Sequence, residues 1–226
     1  MSIPKIFPIF LSLLLPLSTL ATSAATFSPL QIGIDGEDIQ LVDRHIPVVG
    51  LRLNLPISGN DTVAGLDVGL MSYATTFSGI RLNIQSWTQK TIRGVDVSLI
   101  SMGTDDTELD GIQIAGLGVA AKMRGLQAGV IPYAATLRGI QIGLWSTAGD
   151  LCGLQIGLAN FTVSSHGSIQ LGVFNSSSPS FEGGEVRGLQ IGLVNCAETL
   201  HGLQIGLLNF VFNSSIPCLP LIRASF

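Results

Sequence analysis

Charge is what this chain has least of. Only 12% of its 226 residues are Asp, Glu, Lys or Arg, roughly half the usual share. The net charge is −4, so the global basic field that nucleic-acid binders use is missing and no nucleic-acid partner is expected. Aromatic residues are scarce too, with two Trp and two Tyr, whereas outer-membrane barrels carry aromatic girdles at both interfaces. The three cysteines, Cys152, Cys196 and Cys218, are an odd number and cannot all pair internally. None is close enough to another for a metal knuckle. They read as small buried or half-buried thiols, or as one disulfide with a spare thiol.

Chemistry is equally sparse. The histidines, His45, His166 and His201, lie far apart, and the chain has no HExxH, CxxC, P-loop or GxSxG pattern. The acidic stretch "GTDDTELDG", residues 103–111, lacks the twelve-residue spacing and terminal bidentate Glu of an EF-hand and reads as a solvated loop. An enzyme acting on envelope glycans would need convergent carboxylates, which the sequence does not bring together. No catalytic, cofactor-binding or metal-binding residues are expected.

A long apolar run occurs only at the start. "MSIPK" supplies a positive charge, "IFPIFLSLLLPLSTL" an apolar stretch and "ATSAA" small residues, the layout of a secretory signal peptide. Pro8 and Pro16 break the run, which argues against a membrane anchor. Cleavage after Ala24 and after Ala25 fit equally well, and no cysteine follows to carry a lipid. The expectation is export to the periplasm, the outer membrane or the cell surface.

What the chain does have is a repeat. Units begin at Gly50, Gly65, Gly79, Gly94, Gly111, Gly125, Gly139, Gly153, Ser168, Gly188 and Gly202, mostly 14 or 15 residues apart. After the leading residue, positions one, three and five are aliphatic, as in Leu51, Leu53, Leu55 and Leu154, Ile156, Leu158, save that Gly116 takes position five after Gly111. Position two is polar. A period of two predicts a strand, and the expectation is that its Leu/Ile face is shut away from solvent. Two further apolar columns follow, a small one at position nine (Ala74, Ala134, Ala148, Ala197) and a larger one at twelve (Phe77, Met123, Leu137, Leu151, Leu200).

A helix is excluded because two glycines per unit would cost about 2 kcal/mol. Two all-β architectures remain. One is a β-solenoid of about eleven 14-residue coils, stacked about 4.8 Å apart. The other is an antiparallel meander or outer-membrane β-barrel. Its support is the ending Ile222, Ala224, Phe226, which alternates as terminal barrel strands do. Few aromatics and uniform connections favour the solenoid. The column at position two reads Arg52, Asp67, Arg81, Asp96, then Gln113, Gln127, Gln141, Gln155, Gln170, Gln190 and Gln204. Stacked in register it would alternate in sign and then form a glutamine ladder. The chain thus divides into a leader (1–25), an N-terminal cap (26–49), the array (50–210) and a C-terminal cap (211–226).

The units "GLQIGLVN" and "GLQIGLLN", closed by Asn195 and Asn209, together with "GLRLNLPISGNDTVAGLDVGLMS", resemble the short surface repeats of bacterial envelope proteins first named in leptospires. The resemblance covers residues 50–210. It implies an envelope or surface location and supplies no catalytic residues. Arg or Asp replaces Gln in the early units, and Ser168 replaces a leading Gly.

Period-breaking insertions in solenoids emerge as loops, often on the binding face. "SMGTDDTELD" (101–110) and "FNSSSPSFEGGEVR" (174–187) are the two such places. Asp105, Asp106, Glu108 and Phe181 within them, and an arginine edge of Arg124, Arg138 and Arg187, form the candidate contact surface. Such an edge suits anionic polysaccharide or lipid headgroups. The four sequons, at Asn60, Asn160, Asn175 and Asn213, read as turn asparagines bonding a neighbouring coil. The sequence reading is an exported, non-enzymatic envelope protein with an unknown envelope or surface partner. The barrel alternative would associate with the outer membrane as a small pore.

Overall fold

In the computed structural model the described residues are 27–35, 39–177 and 184–225. The expected leader and the terminal Phe226 lie outside them. The elements, all strands, are β1 (Ser28–Asp35), β2 (Ile39–Gln40), β3 (Val48–Gly103), β4 (Glu108–Ser177), β5 (Glu185–Ile191), β6 (Val194–Ala197), β7 (Thr199–Val211) and β8 (Cys218–Ser225). β3 and β4 each wind through several coils.

Neighbouring coils run parallel and in repeat register. Gly94 pairs with Gly111 and Asp96 with Gln113, and Gly188 with Gly202 and Gln190 with Gln204. The fold is a β-solenoid, not an antiparallel meander or barrel. Among the described residues, antiparallel pairing occurs only where β2 folds onto β1 and β8 onto β7. Residues 28–35 enter the stack as one more parallel rung, with Gln31 opposite Arg52. At the far end Arg223 lies opposite Gln204 and Ile222 opposite Ile205, so β8 carries the same alternation over the last coil. That accounts for Ile222 and Ala224 of the barrel-like ending read from the sequence.

The leading glycine is required by geometry. From Gly50 to Gly202 its φ lies between +118° and +152°, and a Cβ would overlap the carbonyl oxygen of the residue stacked beneath it. Only glycine tolerates both. Ser168 departs from the rule because Gly167, at φ +62°, takes the turn one residue earlier, and the register shifts between His166 and Ser168.

One expectation is reversed. The aliphatic residues at positions one, three and five point outward, and the polar residue at position two points in. Arg52, Asp67, Arg81, Asp96 and the seven glutamines from Gln113 to Gln204 are buried, while Leu55 is 57% exposed and Ile84 53%. The interior is therefore two-part. Columns nine and twelve supply its apolar portion, including Ala74, Phe77, Met123, Ala134, Leu137, Ala148 and Leu151. Position two supplies a polar spine.

Stacking explains why polar side chains tolerate burial here. Gln127, Gln141, Gln155, Gln170, Gln190 and Gln204 each donate Nε2 to the Oε1 of the preceding glutamine at 2.7–2.8 Å. The second amide hydrogen reaches a backbone carbonyl, such as Tyr133 O at 3.0 Å for Gln127 and Thr147 O at 3.2 Å for Gln141. From Gln113 to Gln190 each buried amide both donates to and accepts from a neighbour, which lowers the penalty of burying it; at the end of the ladder Gln204 Oε1 has no partner among the described residues. A second ladder runs through Asn160, Asn175, Asn195 and Asn209 at 2.8 Å per step. Sequons Asn160 and Asn175 also donate to Leu171 O and Ile191 O of the next coil, the interaction expected of them.

Candidate contact surface

With the polar spine inside, the outer surface is organised by column. The first side is aliphatic: positions one, three and five of successive coils carry exposed Ile80, Leu82 and Ile84, then Ile140, Ile142 and Leu144, and on to Ile205 and Leu207. Ten steps of about 4.8 Å make it roughly 50 Å long, and two i, i+2 steps make it about 13 Å wide. The projected area of about 650 Å² exceeds the few hundred Å² that monomers ordinarily leave bare.

Beyond position five the surface turns aromatic. Tyr73, Trp87, Tyr133, Phe161 and Phe210 occupy position eight of their coils and Trp145 position six. Trp145 stacks on Phe161 at 4.6 Å, and Phe161 meets Phe174 at 5.7 Å.

On the other flank, just before the leading glycine, lies the charged column. Arg93 pairs in register with Asp110, and Arg124 reaches Asp110 at 3.5 Å. Asp110 thus stands in this column between Arg93 and Arg124, just before the expected edge begins. Arg138 follows one coil on and has no salt bridge among the described residues. Arg187 pairs with Glu185 at 2.9 Å, and His201 shares that carboxylate at 2.9 Å. The hydrogen bond from Arg187 holds the Glu185 carboxyl below its ordinary range, against the opposing effect of burial.

The acidic insertion is smaller than its sequence suggested. Only residues 104–107 leave the ladder. Asp105 and Asp106 are exposed there, while Thr107 is buried and donates to Thr88 O at 2.9 Å. Glu108 is back in strand and pairs with Lys122 at 2.7 Å; the lysine lowers its pKa through that hydrogen bond first and its charge second. Phe181, in the second insertion, lies outside the described residues. The structure brings Glu108, Arg124 and Arg138 onto one flank. Asp105 and Asp106 sit at the turn where β3 hands over to β4, and Arg187 farther along the stack.

The buried charges serve the fold. Arg52 holds Asp67 through Nε at 3.1 Å and Nη2 at 2.6 Å, and Ser72 adds a hydroxyl at 2.6 Å. Burial raises the Asp67 pKa, but the charge and hydrogen bonds of Arg52, with Ser72, outweigh it and leave the carboxyl below its usual range. Arg81 meets Asp96 at 3.3 Å, and its guanidinium carbon lies 4.5 Å from the Phe77 ring centroid. Burial lowers the Arg81 pKa against the pull of Asp96 and Asp67. The spine then passes from charge to amide: Asp96 accepts from Ser101 at 2.6 Å, and Gln113 donates to Ser101 at 2.7 Å.

No family model, curated protein or solved structure matches this chain. Alternation alone did not reveal the aliphatic side as surface. One signal was present. Position two repeats glutamine seven times without change, whereas positions one and three vary among Leu, Ile, Val and Ala. A hydrogen-bonded ladder demands identical side chains; an outer face does not.

Proposed function

We propose that this chain is an exported, non-enzymatic β-repeat protein of the bacterial envelope, and that it works through its aliphatic side. The observation that carries this reading is the outward aliphatic column, with Leu55, Ile84, Leu144 and Leu207 all more than half exposed. A contiguous apolar area of this size is the mark of a contact surface. The leader layout and the resemblance of the GLQIGLVN units to envelope surface repeats support the location. The buried carboxylates Asp67 and Asp96 are committed to Arg52 and Arg81, which leaves them as structural parts. The Arg124–Arg138 edge borders the apolar side and would orient a partner.

Cell fractionation with and without surface protease tests the reading. The processed chain should be recovered with the envelope, and Ile140→Lys with Ile142→Lys and Leu144→Lys should release it into the soluble fraction with its strand content intact. An unprocessed cytosolic chain, or full retention of the triple variant, would overturn the proposal.

A further inference from the structure

The three outer columns form an ordered cross-section, and the order carries information about the occupant. All four Trp and Tyr residues of the chain, Tyr73, Trp87, Tyr133 and Trp145, sit along the one seam beyond the aliphatic side. Arginines border the opposite edge. In the column nearest that edge, four arginines stand against the single Asp110. Two residues farther out the balance inverts, with Glu108, Asp150 and Glu185 against Lys122. Cations are thus held against the apolar side and anions behind them.

Resting on the contact role proposed above, we infer that the occupant is a lipid leaflet bearing anionic phosphate, with the solenoid axis lying in the membrane plane. An aliphatic face entering the acyl boundary, amphipathic aromatics at headgroup level and arginines reaching phosphate are the physical elements of interfacial binding. Arginine suits that place because its planar fork matches phosphate oxygens. A second copy laid flat on the same face would cover the aliphatic columns but leave both flanks in water. The segregation of aromatics to one flank and arginines to the other would then have no purpose.

Vesicle flotation provides the test, using protein recovered from cells expressing the full chain. It should float with vesicles of phosphatidylcholine and phosphatidylglycerol, and lipids brominated near the headgroup should quench Trp145. Ile140→Ser with Ile142→Ser should weaken flotation about tenfold or more while the far-UV spectrum is unchanged. Arg124→Gln with Arg138→Gln should weaken it on anionic vesicles and leave binding to pure phosphatidylcholine unaltered. Absence of flotation overturns the inference, as does flotation indifferent to the Ile140/Ile142 change. A dimer in sedimentation that the same change dissociates assigns the face to a second copy and overturns it too. If vesicles fail while the triple lysine variant is still shed from the envelope, the lipid assignment falls and the contact role stands.

Discussion

Arg52 grips the carboxylate of Asp67 through two nitrogens, at 3.1 and 2.6 Å, with neither side chain exposed to solvent. Removing one partner strands a charge in the interior. Asp67→Leu should cost about 3–5 kcal/mol, whereas Arg52→Gln with Asp67→Gln, which replaces the ion pair by two amides stacked on Gln31, should restore most of the stability. Urea unfolding of the single and double variants measures both.

The same pair makes the two halves of the rod differ in acid. The folded-state pKa of Asp67 is lowered, so its contribution is fully present above the unfolded value of about 3.9 and is lost as pH falls below it. The spine from Gln113 to Gln204 has nothing to titrate. Amide hydrogen exchange should lose protection in residues 51–97 on going below about pH 4, while residues 127–177 and 185–205 stay protected. Equal loss in both halves would contradict the assignment of the spine.

The ladder also inverts the usual rule for core substitutions. Gln141→Leu orphans Gln127 Oε1 and removes the acceptor used by Gln155, a cost of about 1–3 kcal/mol for each unmet group. Ile140→Gln, one residue away and exposed, should change stability by less than about 0.5 kcal/mol. Thermal unfolding of the two variants makes the comparison.

Glycine positions should separate in the same way. Gly153→Ala meets φ +137° and the carbonyl of Gly139, and should prevent stacking at that coil. At Gly167, φ is +62° and a Cβ meets nothing within 4 Å. Gly167→Asn should therefore fold, since Asn accepts the left-handed region. Circular dichroism of the purified variants distinguishes them.

These contrasts show what was legible in the sequence. The spacing of Gly50 through Gly202, the strand period and the apolar columns at Ala134 and Leu137 could be read directly, because each recurs at a fixed place in the unit. Which face of the strand pointed inward could not. Alternation is symmetric, and the binary rule assigns apolar residues to the core unless the outer face has its own use. In this narrow coil Gln141 and its neighbours satisfy one another along the stack, so burial no longer favours Ile140 over Gln141. The arginine edge was partly legible: Arg124 and Arg138 are adjacent as expected. Asp110 entered the column because the 17-residue interval places it in register with Arg93.

Cysteine accessibility tests the reversed faces most directly. In a background lacking the three native thiols, Ile140→Cys, Gln141→Cys and Ile142→Cys would each be exposed to a charged maleimide under native conditions. The account predicts rapid labelling at 140 and 142, and protection at 141 until the chain is unfolded. Rapid labelling at 141 with protection at 140 and 142 would contradict it.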